Sequence, residues 1–447
     1  MTLLPGRSRA IVCGIALSAV AVLSVTSVTS VAQAEPGKPV RERILEINMT
    51  NTPDLKEGQP AVVINPKNPR NLVFTSTVFQ PHPGLYPIGE CFLAYSQDRG
   101  QTWTRVPWPL GDRPQCGEPN VAVDAKGTFY ILNNQVGPDS TANQTNRVVV
   151  SRSLDGGRTW SGPVTTPLVL SGAPKLRVDT ATGKVYAVGG LKWQYPSAVS
   201  VSADRGQTWG SPRLIPGPQP CVVVSPQAPP ACGYPGRELA VHGGILVSAS
   251  QESVVTLHVS RDDGQTWTDL PVTGGNGTPV PAGSGPLLPV PQQRGAADPI
   301  PWVSADPSQS GRFAVMVPRD GNLEVYVTKD AGKTWTGPAV IAAPDAQRPW
   351  MDFGPNGYLG VMWRTSAVDA FSVVSFDHGR SFSAPVKVNR ETEPAAHAGP
   401  PGDRWSWIAL DDNYAYVTWS DGRDNDLTEL DAIFSRVPLS LYRKPGR

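Results

Sequence analysis

Acidic, basic and tryptophan side chains recur in this sequence where short apolar strands begin. The starts carry Glu118 and Asn120, then Lys175, then Arg237 and Glu238, then Asp298 and Trp302. Arg348 and Trp350 follow, and last Asp403, Arg404, Trp405 and Trp407. A guanidinium group grips a carboxylate through two parallel hydrogen bonds, so Arg237, Arg348 and Arg404 together suit an acidic ligand. The simpler alternative pairs each arginine with a neighbouring acid, Arg404 with Asp403 for example. Trp302, Trp350, Trp405 and Trp407 offer flat faces for sugar rings, or a plug for a central space. Charged groups gathered about one axis cost desolvation unless they are paired or meet a ligand. His397, in PAAHAGPPGDRW, is either a general base or an exposed loop histidine. The acidic stretch from Ser420 to Ala432 supplies oxygens of the kind Ca²⁺ takes, but without the spacing of a known calcium loop. No cysteine or histidine cluster has metal-ligand spacing, so no cofactor is expected beyond that possible Ca²⁺.

The elements that must position these residues repeat. An apolar strand, a turn and a second strand recur as PAVVINPKNPRNLVFTS (from Pro60), PNVAVDAKGTFYIL (Pro119), PKLRVDTATGKVYAV (Pro174) and RELAVHGGILVSAS (Arg237). PWVSADPSQSGRFAVMV (Pro301), PWMDFGPNGYLGVMW (Pro349) and SWIALDDNYAYVTW (Ser406) continue the series. Six of these units are followed by Ser/Thr-x-Asp-x-Gly-x-Thr/Ser-Trp/Phe, starting at Ser96, Ser153, Ser202, Ser260, Thr328 and Ser375. The motif reads as a hairpin turn. Asp98 and its equivalents accept from turn backbone, Gly100 and its equivalents supply a left-handed residue, and Trp103 and its equivalents start the next strand and pack inward. Self-similarity at intervals of 47 to 68 residues signals one supersecondary unit per repeat. The last unit has a third strand, Leu430 to Val437, but no such turn. Arg43 to Ile47 alternates like a strand and could complete that unit. The expectation is an all-β β-propeller of seven four-stranded blades closed by an N-terminal strand, with six blades as the alternative.

The eight-residue motif closely resembles the Asp box of the sialidase (neuraminidase) superfamily. The resemblance implies a propeller with its substrate at the mouth of the central channel, and an exo-acting glycoside hydrolase, exo-α-sialidase-like. In that family the boxes lie far from the active site, three arginines hold the substrate carboxylate, a glutamate activates a tyrosine nucleophile, and a separate aspartate is the acid/base. By that resemblance Tyr234 and Glu238 form the nucleophile pair, and Asp298 or Asp403 is the acid. Arg237, Arg348 and Arg404 hold the carboxylate, and Glu118, Trp302, Trp350 and Trp405 line the substrate site. The family's Arg-Ile-Pro motif has its nearest match in Arg43-Ile44-Leu45, where leucine replaces proline. That departure keeps a second reading open, a non-catalytic propeller that binds glycan or protein. A third is a polysaccharide lyase with His397 as its base.

Composition bounds the rest. Arg7 and Arg9, an apolar stretch from Ala10 to Val31 and Ala32-Gln33-Ala34 form a secretory signal over residues 1–34, which leaves 35–447 as the propeller. The expected location is extracellular, with no membrane contact after cleavage. Net charge is +1 at pH 7, which argues against a nucleic-acid partner. The expected partner is an extracellular glycan or glycoconjugate, met by a monomer. Cys91, Cys116, Cys221 and Cys232 remain after the signal, and local pairing gives Cys91–Cys116 and Cys221–Cys232, with free thiols as the alternative. Two insertions, Gly217 to Gly236 and Thr273 to Pro299, are candidates for the rim of a binding face.

Overall fold

The computed structural model describes residues 43–51, 56–79, 89–111, 116–135, 147–169, 174–190, 197–217, 238–283, 301–365, 369–390, 406–422 and 430–443. The signal segment, the Cys221–Cys232 pairing and most of the two insertions lie outside them. Among the described residues the fold is all-β, with one short 3₁₀ turn at Leu439–Leu441. Among the described residues no helix is long and apolar enough to cross a membrane.

Consecutive strands pair as antiparallel meanders. Four-stranded sheets cover residues 56–105, 239–271, 302–342 and 347–387. Residues 117–169 and 175–214 are two further meanders, merged into one eight-stranded sheet where Gly190 pairs with Val169. In the last sheet, residues 406–438 supply three strands, and Leu45–Asn48 supplies the fourth by pairing with Asp431–Pro438. The segment read as alternating at Arg43 to Ile47 therefore closes the last sheet.

The first strands of the meanders are Lys56–Ile64, Gly117–Val123, Lys175–Val178, Leu239–His242, Trp302–Ala305, Gln347–Phe353 and Ser406–Leu410. Each lies against the next, and Ser406–Leu410 lies against Lys56–Ile64, so they form a closed circle. These strands have no backbone ladder between them. Polar side chains stitch them instead. Asn120 Oδ1 accepts from Leu176 N (3.0 Å), Arg177 Nε donates to Leu239 O (2.9 Å) and Ser304 Oγ donates to Asp352 Oδ1 (2.8 Å), while Thr418 Oγ1, from the second strand of the last sheet, donates to Pro60 O (2.9 Å). The apolar core is correspondingly spread between neighbouring sheets rather than gathered in one place. Tyr186, Val188, Leu239 and Leu246 fill one such boundary, and Val247, Leu257, Val303 and Phe313 the next.

The six Asp boxes fold alike. Each third strand ends on the box Ser or Thr. In the first box Ser96 Oγ accepts from Gly100 N (2.8 Å). Asp98 Oδ1 accepts from Thr102 N (2.9 Å), and Asp98 Oδ2 accepts from Thr102 Oγ1 (2.6 Å). The fifth box repeats this with Thr328, Asp330, Gly332 and Thr334 at 2.8, 2.8 and 2.6 Å. The box glycine is left-handed for a second reason besides the turn. A Cβ on Gly100 (φ 76°) would lie 2.4 Å from Phe434 of the last sheet, and one on Gly157 would lie 2.8 Å from Val73 of the first. Each box thus presses its bare backbone onto the preceding sheet, and the first box presses onto the last sheet across the closure. The box tryptophans pack less deeply than expected. Trp103, Trp160 and Trp267 are half-buried, each with its Nε1 bonded to its box glycine carbonyl, and Trp335 alone of the five is fully buried. They cap the core edge rather than fill its centre.

Candidate functional site

One register position on the circle of first strands gathers the distinctive residues. Counting back four places from each turn residue gives Ala61, Asn120, Lys175, Glu238, Trp302, Trp350 and Trp407 in consecutive strands. Three members of this layer are indoles, three are polar and one is alanine. Two residues further in, the layer reads Val63, Ala122, Arg177, Ala240, Ser304, Asp352 and Ala409, small except for one cation and one acid.

The two long cations cross the space that the small residues leave. Lys175 Nζ lies 3.4 Å from Glu238 Oε1 and 4.9 Å from the centre of the Trp350 ring. Arg177 Nη2 lies 3.1 Å from Glu238 Oε2, and its guanidinium carbon is 5.9 Å from the rings of both Trp350 and Trp407. Those indoles stack at 4.3 Å with 23° between planes. Cations over indole faces, with one carboxylate bridging both, fill the centre beneath the mouth. Burial pushes the Lys175 ammonium below its ordinary value, against the pull of Glu238. Asp352 is pushed up, first by desolvation, with Arg177 and the Ser304 hydroxyl opposing. Desolvation disfavours its charged form.

Above this plug the strand starts open into a small pocket of about 20 Å³, lined by Gln59, Pro60, Glu118, Pro119, Lys175 and the Trp350–Trp407 pair. Among the described residues Trp302 Nε1, Trp350 Nε1, Trp407 Nε1 and Ser406 Oγ are buried without a hydrogen-bond partner. An indole N–H is donor only, so these are unspent donors at the mouth. Glu118 Oε2 accepts from Asn134 Nδ2 (2.6 Å). The Cys91–Cys116 disulfide, with Cα atoms 5.6 Å apart, ties the first sheet to the lead-in of the second two residues before Glu118.

Of the residues singled out from sequence, Glu118, Asn120, Lys175, Trp350 and Trp407 meet at this mouth. Glu238 lies beneath it, held by Lys175 and Arg177. Trp302 shares the layer without lining the pocket. Arg348 is buried two residues before Trp350. Tyr234, Arg237, Asp298, His397, Asp403, Arg404 and Trp405 lie outside the described residues. Arg177 and Asp352 were missed. The available signal was a lone charge inside an otherwise apolar strand, in KLRV and WMDF.

A second constellation stands apart. Ser250 Oγ is 2.7 Å from His258 Nε2, and His258 Nδ1 is 2.7 Å from Asp269 Oδ1. The spacing is that of a nucleophile relay, but Ser250 is 3% exposed whereas the Asp269 side chain is 61% exposed. With its hydroxyl end closed and its carboxylate end open, it serves as a cross-strand tie.

Residues 94–105 match the BNR/Asp-box repeat, and the box geometry recurs at all six turns. The chain carries the BNR/Asp-box repeat. No curated protein matches it. Among solved structures it is similar to the Trypanosoma rangeli sialidase holding 2,3-difluorosialic acid as a covalent intermediate, at TM-score 0.47 and 10% identity, over 88% of this chain and 59% of that one. It is also similar to an α-L-arabinofuranosidase from Fusarium graminearum bound to an iminosugar inhibitor (0.43, 14%, 88% and 95%). YCF48 bound to D1 peptide is a third (0.44, 13%, 88% and 94%). One fold hosts many functions, so function rests on the residues at the mouth.

Proposed function

We propose that this Asp-box protein is an exported seven-bladed propeller, its signal cleaved after Ala34, that binds extracellular carbohydrate at its channel mouth. The observation that carries the reading is the stacked Trp350–Trp407 pair, with its unspent indole donors and Ser406 Oγ, lining a polar-rimmed pocket. Trp350 and Trp407 are 3% and 6% exposed, so a sugar would meet the edge of the pair at the pocket floor rather than a free indole face. The merged sheet joins its two meanders through one register pair, which supports seven units rather than six. Glu238 is bound by both Lys175 and Arg177, so it is not a carboxylate waiting to activate a nucleophile. This favours binding over hydrolysis.

One observation favours the hydrolase reading, an exo-glycosidase of the sialidase type. Asp352 is held towards its protonated form next to the pocket, the state a general acid needs.

The test is a glycan array probed with the mature chain, run beside a fluorogenic α-sialoside assay. Array binding without turnover is the expected result. Turnover lost in Asp352→Asn would replace binding with hydrolysis as the function, and a blank array together with no turnover would sink both.

A further inference from the structure

Backbone strain at the mouth identifies residues that no sequence motif marks. Among the described residues, eleven other than glycine have left-handed φ. Five are the fourth residues of Asp boxes, where the turn requires it, and Asp320 and Asp345 lie in tight turns. Asn51 follows the closing strand. The remaining three, Gln59 (φ 55°), Glu118 (φ 50°) and Arg348 (φ 47°), lie inside strands.

The three are built alike. Each lies in a first strand, each lies at a register shift against the second strand, and each precedes a proline: Pro60, Pro119 and Pro349. The bulge turns the side chain out of the ladder, and the proline follows where the missing N–H costs no ladder bond. Glycine would adopt this backbone without penalty, yet all three positions carry long polar side chains. Strain kept where glycine would relieve it points to a role for the side chain. Gln59 and Glu118 line the pocket, and Arg348 leads into Trp350, which lines it too.

We infer that Gln59 and Glu118 form a polar specificity rim, each aimed by the same bulge-and-proline step, that reads the hydrogen-bonding groups of a ligand seated at Trp350 and Trp407, while the same step at the buried Arg348 sets the position of Trp350. The inference rests on the carbohydrate reading for its ligand class, but not for the rim itself. Gln59 is both donor and acceptor and Glu118 is an acceptor, so the rim discriminates between donor and acceptor substituents around one ring. Gln59 Oε1 already accepts from Thr77 Oγ1 (3.0 Å), which fixes its amide with the N–H₂ left to donate.

The experiment compares Gln59→Gly with Gln59→Ala in the mature chain, and Glu118→Gly with Glu118→Ala. Both members of a pair lack the side chain, and only the alanine keeps the strain. The expected result is that each glycine variant melts about 1–3 °C above its alanine partner, the reverse of the usual order in a strand, while both lose about tenfold in affinity for their best array glycan. Glu118→Gln retaining the affinity while changing the glycan preferred would separate reading from mere support. Glycine variants that melt at or below their alanine partners would overturn the inference, because the strain would not exist. Variants that keep the wild-type array profile would overturn it as well. A blank wild-type array with the glycine variants still melting higher would sink the carbohydrate reading and support a rim built for a ligand of other chemistry.

Discussion

The outer Asp-box turns and the channel mouth solve opposite problems. In the boxes the opening hydroxyl, the aspartate and the closing hydroxyl are answered locally, within four residues, and the same bonds recur at nearly the same lengths six times. At the mouth the strand starts differ, three bringing a tryptophan to one register position and the others Ala61, Asn120, Lys175 and Glu238. Cations and acids pair across sheets, donors stay unspent, and three residues hold backbone that glycine would hold more easily. Repetition with complete local satisfaction belongs to scaffold. Irregularity with incomplete satisfaction belongs to a site that meets a partner.

The contrast can be broken most forcefully at the rim of the scaffold. Gly100→Ala adds left-handed strain of about 1–2 kcal/mol and a clash with Phe434, for a total loss of about 2–5 kcal/mol in denaturant unfolding. Gly183 is also left-handed, but nothing lies within 4 Å of its would-be Cβ, so alanine there costs the strain alone. Equal losses at the two positions would show that the box glycine does not dock one sheet on the next. Replacing Cys91 and Cys116 by serine removes a tie with a sequence separation of 25 residues, and is expected to cost about 3 kcal/mol. That double variant also loosens Glu118, so ligand affinity falls with stability, which no box substitution achieves.

Acid separates the two regions by sign. The six box aspartates are held below their ordinary value, Asp204 and Asp262 at about 2, the Thr208 and Thr266 hydroxyls being the leading causes. Their bonds are fully present above the unfolded value of 3.8 and are lost as pH falls towards 2. Asp352 runs the other way. Its folded value is raised, so its contribution is full at low pH and is lost as pH rises through that value. Melting curves from pH 7 to 2 should show a steep loss below about pH 4 in the wild type, and Asp352→Asn should gain stability at pH 7 alone. A gain at pH 3 as well would show that Asp352 is not shifted upwards. The smallest expected effect is Trp407→Phe. The indole N–H has no partner among the described residues, so stability changes by less than about 1 kcal/mol while glycan affinity falls by roughly five- to tenfold.

What the sequence disclosed follows the same division. The box turns and closing strand were legible because their chemistry is local: Ser96, Asp98, Gly100 and Thr102 fall within seven residues, and the Leu45–Asn48 strand announced itself by alternation. The polar strand starts were legible as a group but not in their roles. Asn120 looked like a ligand contact, and its side chain instead holds the backbone of the third first-strand. Glu238 looked like a base, and its partners Lys175 and Arg177 lie sixty residues away in sequence. Arg177 and Asp352 were hidden because a charge inside KLRV or WMDF becomes informative only when the circle brings the two strands to one bore. Gln59 was hidden more deeply, since its left-handed backbone leaves no trace in residue type.

The closing strand also sets a timetable. Leu45 pairs with Arg436, so the residues that complete the last sheet emerge first and last from the ribosome. No amount of early local folding can make that bond. Until the final strand exists, the sheets stand as an open arc with two raw edges, Lys56–Ile64 at one end and the newest strand at the other. Bringing ends this distant together is entropically slow. Closure is therefore the step on which the lifetime of the half-made protein depends, and a chaperone that shields those two edges would be guarding the one moment when this molecule can pair with a stranger instead of itself.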